Sequence, residues 1–362
     1  MRCAAMYWLH WRSGLSAMFD FKLSAKQLAP WLAAPLAQVV CSPDFPQMLG
    51  QTVGINDAHC AGGGTYALAL AHALLCQAPQ SSGLACGQCS QCSLMKAGNH
   101  PDLMCLVPEA LQWGFVPEKD KKPSKTIKID QLRALENNFV LSSQRGGRKV
   151  VLIYPAETLG TVPANALLKT LEEPPTNTFF IVVSEVWTQV LPTIRSRCVV
   201  QALPHPSALD KLSWLSGQGG NHIGISHPKR WLELAAGRVD VALAMAQDPL
   251  WMPLLKLMPY LLHGARTDAM GLANDMSKAE LRRVVEALSL WMCDLLAIHQ
   301  GAPARFFAAQ SESIQAMVQN LRIVPAIQLA QQLTDLARLV DHPLNARSQC
   351  EALLLEYKTV FH

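Results

Sequence analysis

The sequence predicts an α/β domain built on a parallel sheet, followed by an all-α region. Three observations predict it. Short uninterrupted apolar runs, KVVLIY at 149–154 and FFIVV at 179–183, have the composition of strands buried on both faces of a sheet. Helical segments alternate with them, YALALAHALL at 66–75 and ANALLKTLEE at 164–173, as crossover helices between parallel strands do. After about Pro204 the strand pattern ends, and the remainder has helical periodicity only.

Each element has its own signal. Residues 29–39 allow at most a short helix, because Pro30 and Pro35 interrupt it. Residues 40–64 are punctuated by Gly, Pro and Asp and show no clear period. The helix at 66–75 runs straight into Cys76. A strand is expected at 103–107, then a charged, Pro-broken surface loop at 117–126. Residues 127–130 lead into a helix through Leu135. In the 164–173 helix Leu167, Leu168 and Leu171 share one face, and Pro174-Pro175 stops it. A third buried strand is expected at 199–203. Residues 205–250 read as a small helical unit with a Gly-rich break at 217–220. Further on, Ser277 and Glu280 have capping-box spacing. Leu281, Val284, Val285, Leu288, Met292, Leu295 and Leu296 then keep one helical stripe up to Gly301. Amphipathic helices follow at 327–340 and 348–357.

Composition bounds the function. With 362 residues, half of them hydrophobic and 16% charged, the chain can bury a large core in two or three domains and shows no sign of bulk disorder. A net charge of +4 is too weak to diagnose a nucleic-acid binder. No apolar run reaches the roughly 18 residues a membrane span needs. Residues 1–28 are expected to be an extension and not a signal peptide, since His10, Arg12 and Gly14 break the apolar stretch; Met6 and Met18 are possible later starts. Eleven cysteines, several closely spaced, point to a reducing, cytoplasmic compartment and to metal.

The metal signal is concentrated. Cys76, Cys86, Cys89 and Cys92 follow a Cys-x9-Cys-x2-Cys-x2-Cys pattern, and four thiolates so close in sequence can close a tetrahedral structural zinc site. Gly83 and Gly87 give the turns their freedom. His100 is the other candidate ligand nearby, and disulfides are the alternative chemistry. The loop between these cysteines carries no Lys or Arg, so it has no means of gripping phosphate.

A second motif is incomplete. Gly62, Gly63, Gly64 and Thr65 form a glycine-rich turn before a helix, the place where a phosphate loop would stand. A working loop needs a lysine, and none occurs between Lys26 and Lys96. The strand KVVLIY is followed by Tyr154-Pro155-Ala156-Glu157 in place of the magnesium-holding Asp-Glu pair; Glu157 alone reads as structural. By contrast LPTIRSRC places Arg195 and Arg197 in a polar turn after a strand. From there a guanidinium could reach a γ-phosphate on a neighbouring subunit.

Taken together, LLCQAPQ…CGQCSQCSLMKAGNHPDL, IKIDQLRAL, KVVLIYPAETL, ANALLKTLEEPP, TFFIVVSE, LPTIRSRC and DHPLNARSQCEALLLEY resemble the delta-prime branch of the bacterial DNA polymerase III clamp-loader family. The resemblance covers roughly residues 29–362 and is most specific between 66 and 200. It implies a RecA-like AAA+ domain at 29–204 with a zinc module at 76–104, a small helical lid at 205–250 and a helical collar at 251–362. It implies a non-hydrolysing stator in a hetero-pentameric ring with delta and gamma/tau subunits, which places a sliding clamp on primed DNA in the nucleoid-associated replisome. No catalysis is expected of the chain alone. Arg197, within Ser196-Arg197-Cys198, would be an arginine finger offered in trans, and Cys76, Cys86, Cys89 and Cys92 would hold structural zinc. The alternatives are an ATP-hydrolysing motor of the same loader, or a zinc-containing nucleic-acid-binding protein. Residues 40–61 depart from the family pattern through a decayed nucleotide pocket or a local frame error, so no first strand can be relied on there.

Overall fold

The computed structural model describes residues 28–42, 52–58, 61–109, 124, 126–140, 147–217, 227–339 and 345–361. The expected extension at 1–28 (all but its last residue), most of the 117–126 loop and the Gly-rich break after Gly217 lie outside them. Among the described residues the chain divides into two compact units, 28–210 and 211–361.

The first unit contains five parallel strands: β1 Thr52–Asn56, β2 Leu103–Leu106, β3 Lys149–Ile153, β4 Thr178–Ser184 and β5 Cys198–Ala202. Their spatial order is β2-β3-β4-β1-β5. The helices are α1 Pro30–Val40, α2 Gly63–Leu75, α3 Ser90–Lys96, α4 Ile129–Val140, α5 Thr161–Glu172, the short α6 Pro192–Arg195, and α7 Ala208–Gly217, which runs across the division. Both faces of the sheet are covered. Val151, Ile153, Phe180 and Val182 join a cluster with Leu132 and Leu135 of α4 and Leu167 and Leu171 of α5. The alternate residues Val150, Leu152, Phe179 and Ile181 are buried as well, and α2 packs on β3 and β4.

Four expectations are corrected. Residues 40–61 do hold a strand: β1 lies between β4 and β5, with Val53 opposite Ile181 and Val199. Its residues TVGIN are short and weakly apolar, but the ladders on both sides fix them. Residues 199–203 do not form a buried strand: β5 starts one residue earlier and is the sheet edge, leaving Val199 and Val200 exposed. The two prolines do not stop α1. Pro30 stands at its first turn, where no amide is needed, and Leu32, Leu36 and Val40 bury one face through Pro35. Ser277 is no capping residue for the next helix; it closes the preceding one and its hydroxyl donates to the Asn274 carbonyl.

The second unit is helical: α8 Pro228–Leu234, α9 Val239–Gln247, α10 Trp251–Leu257, α11 Ala269–Met276, α12 Leu281–His299, α13 Ser311–Met317, α14 Ile323–Leu339 and α15 Ala346–Thr359. The stripe on α12 is buried as expected, with Leu296 at its margin. Trp291 Nε1 donates to Tyr357 Oη at 3.0 Å, and that hydroxyl donates to the Leu261 carbonyl at 2.8 Å, so α12 and α15 share a buried polar link. Asp294 accepts the amides of Arg305, Phe306 and Phe307 and ties down the turn after α12.

Gly54 is required in the middle of β1, because a Cβ there would lie 2.2 Å from the Trp187 ring and 3.0 Å from Cys198 Cβ. Gly54→Ala should destabilise the chain by about 1–3 kcal/mol through overpacking, read as a lower urea midpoint at unchanged slope.

Candidate functional site

Ligands of open parallel sheets bind at the carboxyl ends of the strands. Here β1 ends at Asn56, β3 at Ile153 and β4 at Ser184, and the residues that follow, Asp57, Tyr154 and Glu185, gather at that edge. The Asp57 amide donates to the Ser184 carbonyl at 2.9 Å, continuing the ladder by one residue.

The chain then turns into α2. The first amides of a helix have no partner within it, and the helix dipole makes that end favourable for an anion. In a phosphate loop they cradle phosphate. Here they donate to a carboxylate of the same chain: Ala61 N to Asp57 Oδ1 at 2.5 Å, Gly63 N to Oδ2 at 2.7 Å, and Gly62 N to Oδ2 at 3.3 Å. Asp57 is 3% exposed, so this anion is internal. Two glycines permit the approach. Gly62 has φ of 105°, and a Cβ on Gly63 would stand 2.8 Å from Asp57 Cβ. The helix begins at Gly63, three residues before the expected start, because Asp57 supplies the cap. Thr65 lies inside its first turn.

Tyr154 stands where a magnesium-holding Asp would be. Its hydroxyl donates to Glu185 Oε1 at 3.0 Å, and its ring lies against Gly64 of α2. Burial raises the Tyr66 hydroxyl to about 12 despite its 3.0 Å bond to Gln201, so it remains a neutral donor. Glu157 occupies a 3-10 turn, Ala156–Thr158.

The four cysteines come together at the other end of α2. Cys76 closes α2, Cys86 and Cys89 follow in the loop, and Cys92 stands in the first turn of α3. Their Sγ atoms all lie within 4.8 Å of one another. Individual separations are 3.4 Å (Cys89–Cys92), 3.7 Å (Cys76–Cys92), 3.8 Å (Cys86–Cys92) and 4.0 Å (Cys76–Cys89). A tetrahedron with metal–sulfur bonds of about 2.3 Å has edges of about 3.8 Å, so the cage fits one ion. Disulfide bonding does not describe it, since these thiols are free and each of the four has several sulfur neighbours. Amides of Cys86, Gly87 and Cys92 donate to the sulfurs of Cys76, Cys92 and Cys89 at 3.2–3.4 Å.

Burial raises Cys76 and Cys92, whereas at Cys89 burial is outweighed by the Gln77 and Cys92 amides and neighbouring thiols, which bring it to about 6. A cation among the four sulfurs would let all of them ionise. His100 is not among the clustered ligand atoms, and its Nδ1 accepts the Asp102 amide at 3.1 Å.

The arginine turn is formed as expected, but Arg197 is not extended. Its Nε donates to Glu172 Oε1 at 2.9 Å, its Nη2 reaches the same oxygen, and its Nη1 donates to the Thr193 carbonyl at 2.7 Å and to Ser196 Oγ at 3.2 Å. Ser196 caps α6 and donates to the Thr193 carbonyl. Cys198 donates to the Ile194 carbonyl at 3.2 Å, and burial raises its thiol to about 12, so it is an anchor and not a nucleophile. Arg195 ends α6 with a buried Nε. Asp57, Glu172 and Glu185 have no sequence signal of their own beyond, for Asp57, its neighbourhood, and Tyr154 shows in the sequence only as the occupant of the Asp position. The only sequence signal for Asp57 was its place shortly before a glycine run.

A five-stranded parallel sheet in this order, covered by helices on both faces and with a glycine turn at the head of α2, defines an α/β module of the open, doubly wound class. Residues 52–207 match the family model described as "DNA polymerase III, delta subunit". The chain is 46% identical over 158 residues to DNA polymerase III subunit delta' of Pseudomonas aeruginosa, covering 43% of this chain and 44% of that protein. It is 32% identical over 320 residues to the Yersinia pestis subunit (84% and 87% covered) and 34% over 232 residues to that of Escherichia coli (61% and 62%). A gamma-subunit-related protein from Thermotoga maritima aligns at 18% identity with a TM-score of 0.42, over 90% of this chain and 99% of that one. The chain belongs to the DNA polymerase III subunit delta' family.

The sulfur geometry can be checked directly. Cobalt(II) added to metal-free protein should give the absorption of a tetrahedral four-thiolate site. Cys89→Ser should remove that spectrum and, since metal binding is coupled to folding, cost about 3 kcal/mol or more.

Proposed function

We propose that this chain is the non-hydrolysing stator of a DNA polymerase III clamp loader. It would work in the cytoplasm within a hetero-pentameric ring of delta and gamma/tau subunits that loads the sliding clamp onto primed DNA. The observation that carries the proposal is the Asp57 carboxylate on the amides of Ala61, Gly62 and Gly63. A triphosphate would have to displace an internal, buried anion, and the glycine-rich turn is not followed by the lysine that would reward it, none occurring between Lys26 and Lys96. The same observation counts against the motor reading. A separate nucleic-acid role for the sulfur module is disfavoured by the lack of Lys and Arg between its cysteines.

In this reading residues 29–204 form the AAA+ domain, 205–250 the lid and 251–362 the collar that holds the ring. Zinc in the four-sulfur cage is structural: Cys76, Cys86, Cys89 and Cys92 fill all four positions and leave none for water. Arg197 is the arginine finger. Its planar fork would pair with the γ-phosphate on an adjacent motor subunit and stabilise charge developing there, while Ser196 and Cys198 shape the turn.

Two measurements test this. The isolated chain should neither turn over ATP nor bind it saturably in a calorimetric titration; turnover by the pure chain overturns the proposal. Arg197→Ala should leave folding and ring assembly intact, since a partly exposed ion pair contributes little to stability. Hydrolysis at the site it serves should fall about a thousandfold, read as lost DNA- and clamp-stimulated ATPase of the reconstituted ring.

A further inference from the structure

Glu172 is the last residue of α5. A carboxylate at that end faces the negative pole of the helix and is unfavourable there. Helix stability therefore does not account for it, and neither does the core, since its side chain is 49% exposed. What it does contact is the guanidinium of Arg197, 25 residues further on. Pro174 and Pro175 stop the helix just beyond it, and α6 and its turn bring Arg197 alongside. All three guanidinium nitrogens then donate within the chain: Nε and Nη2 to Glu172, and Nη1 to the Thr193 carbonyl and Ser196 Oγ.

We infer that Glu172 is a positioning residue, an internal stand-in for phosphate that holds Arg197 against its own chain until a neighbour's triphosphate takes the guanidinium away. This rests on the reading of Arg197 as a finger. Carboxylate and phosphate both match the planar donor fork, so they compete for one side chain. The pair is partly exposed, with side-chain accessibilities of 29% for Arg197 and 49% for Glu172, so solvent screens it and a polyphosphate of higher charge can displace it. The carboxylate would delay engagement until the neighbour's nucleotide is fully seated, because a diphosphate lacks the terminal group that outcompetes it. Population arithmetic gives the form of the effect. If the released finger is a minor state, the apparent affinity of the ring for ATP is reduced by that fraction.

The test uses the reconstituted ring with Glu172→Gln, which keeps the shape and removes the charge. The ATP concentration for half-maximal hydrolysis should fall about two- to fivefold, with the maximal rate kept within about twofold. In the isolated chain, the Nε–H of Arg197 should exchange with solvent several-fold faster than in the parent, as read by side-chain NMR. On an Arg197→Ala background, Glu172→Gln should change nothing further, an outcome a merely structural role would not produce. If Glu172→Gln leaves half-saturation unchanged while Arg197→Ala still abolishes stimulated hydrolysis, the latch is wrong and the finger stands. If Arg197→Ala itself leaves hydrolysis intact, the finger reading fails and the latch with it.

Discussion

The carboxylate of Asp57 completes the head of α2, and the character of the whole carboxyl edge of the sheet depends on that contact. A helix docked on a parallel sheet presents unpaired amides and the positive end of its dipole at the carboxyl edge of the strands. Some acceptor has to satisfy them, and the dipole favours an anion. Here the anion is part of the chain, anchored one residue beyond β1 by the ladder bond to Ser184. Gly63 allows it, because any side chain there would collide with Asp57. Tyr154 and Glu185 then bond to each other beside it, so the edge is filled by protein groups with mutual hydrogen bonds.

The same helix carries the second organising feature at its far end. α2 spans 13 residues, mostly small and buried, from the Asp57 contact to Cys76. The sulfur cage therefore grows out of the element that the carboxylate caps, and α3 returns from it with Cys92 in its first turn. Gly83, with φ of 78°, is what lets the intervening loop lie against α1; a Cβ there would stand 2.7 Å from the Ala37 backbone. Two carboxylates thus serve as internal partners in this unit: Asp57 on the amides at the head of α2, and Glu172 at the end of α5 on the Arg197 guanidinium.

Much of this was legible in the chain. β3 and β4 are continuous apolar runs, and a run buried on both faces needs no neighbour to declare itself. The cysteine spacing declared its cage because the ligands are close in sequence. β1 was not legible: TVGIN has a glycine at its centre and little apolar character, and it is a strand because β4 and β5 pair with both its edges. β5 misled in the opposite sense, since Val199 and Val200 look like core yet lie exposed on the edge strand. The Ser277 and Glu280 spacing matched a cap by coincidence, because α11 was still using Ser277 to end.

The sequence by itself determined the fold class, the sulfur cage, the missing lysine and the arginine turn, because each depends on residues near one another along the chain or on an apolar period. Only the tertiary structure decided what fills the head of α2 and where the guanidinium rests. Asp57 reaches the amides only through the left-handed Gly62 and the sheet edge, and Glu172 meets Arg197 only because α5 and α6 end side by side. Such contacts depend on the packing of elements distant in sequence, and no local pattern encodes them.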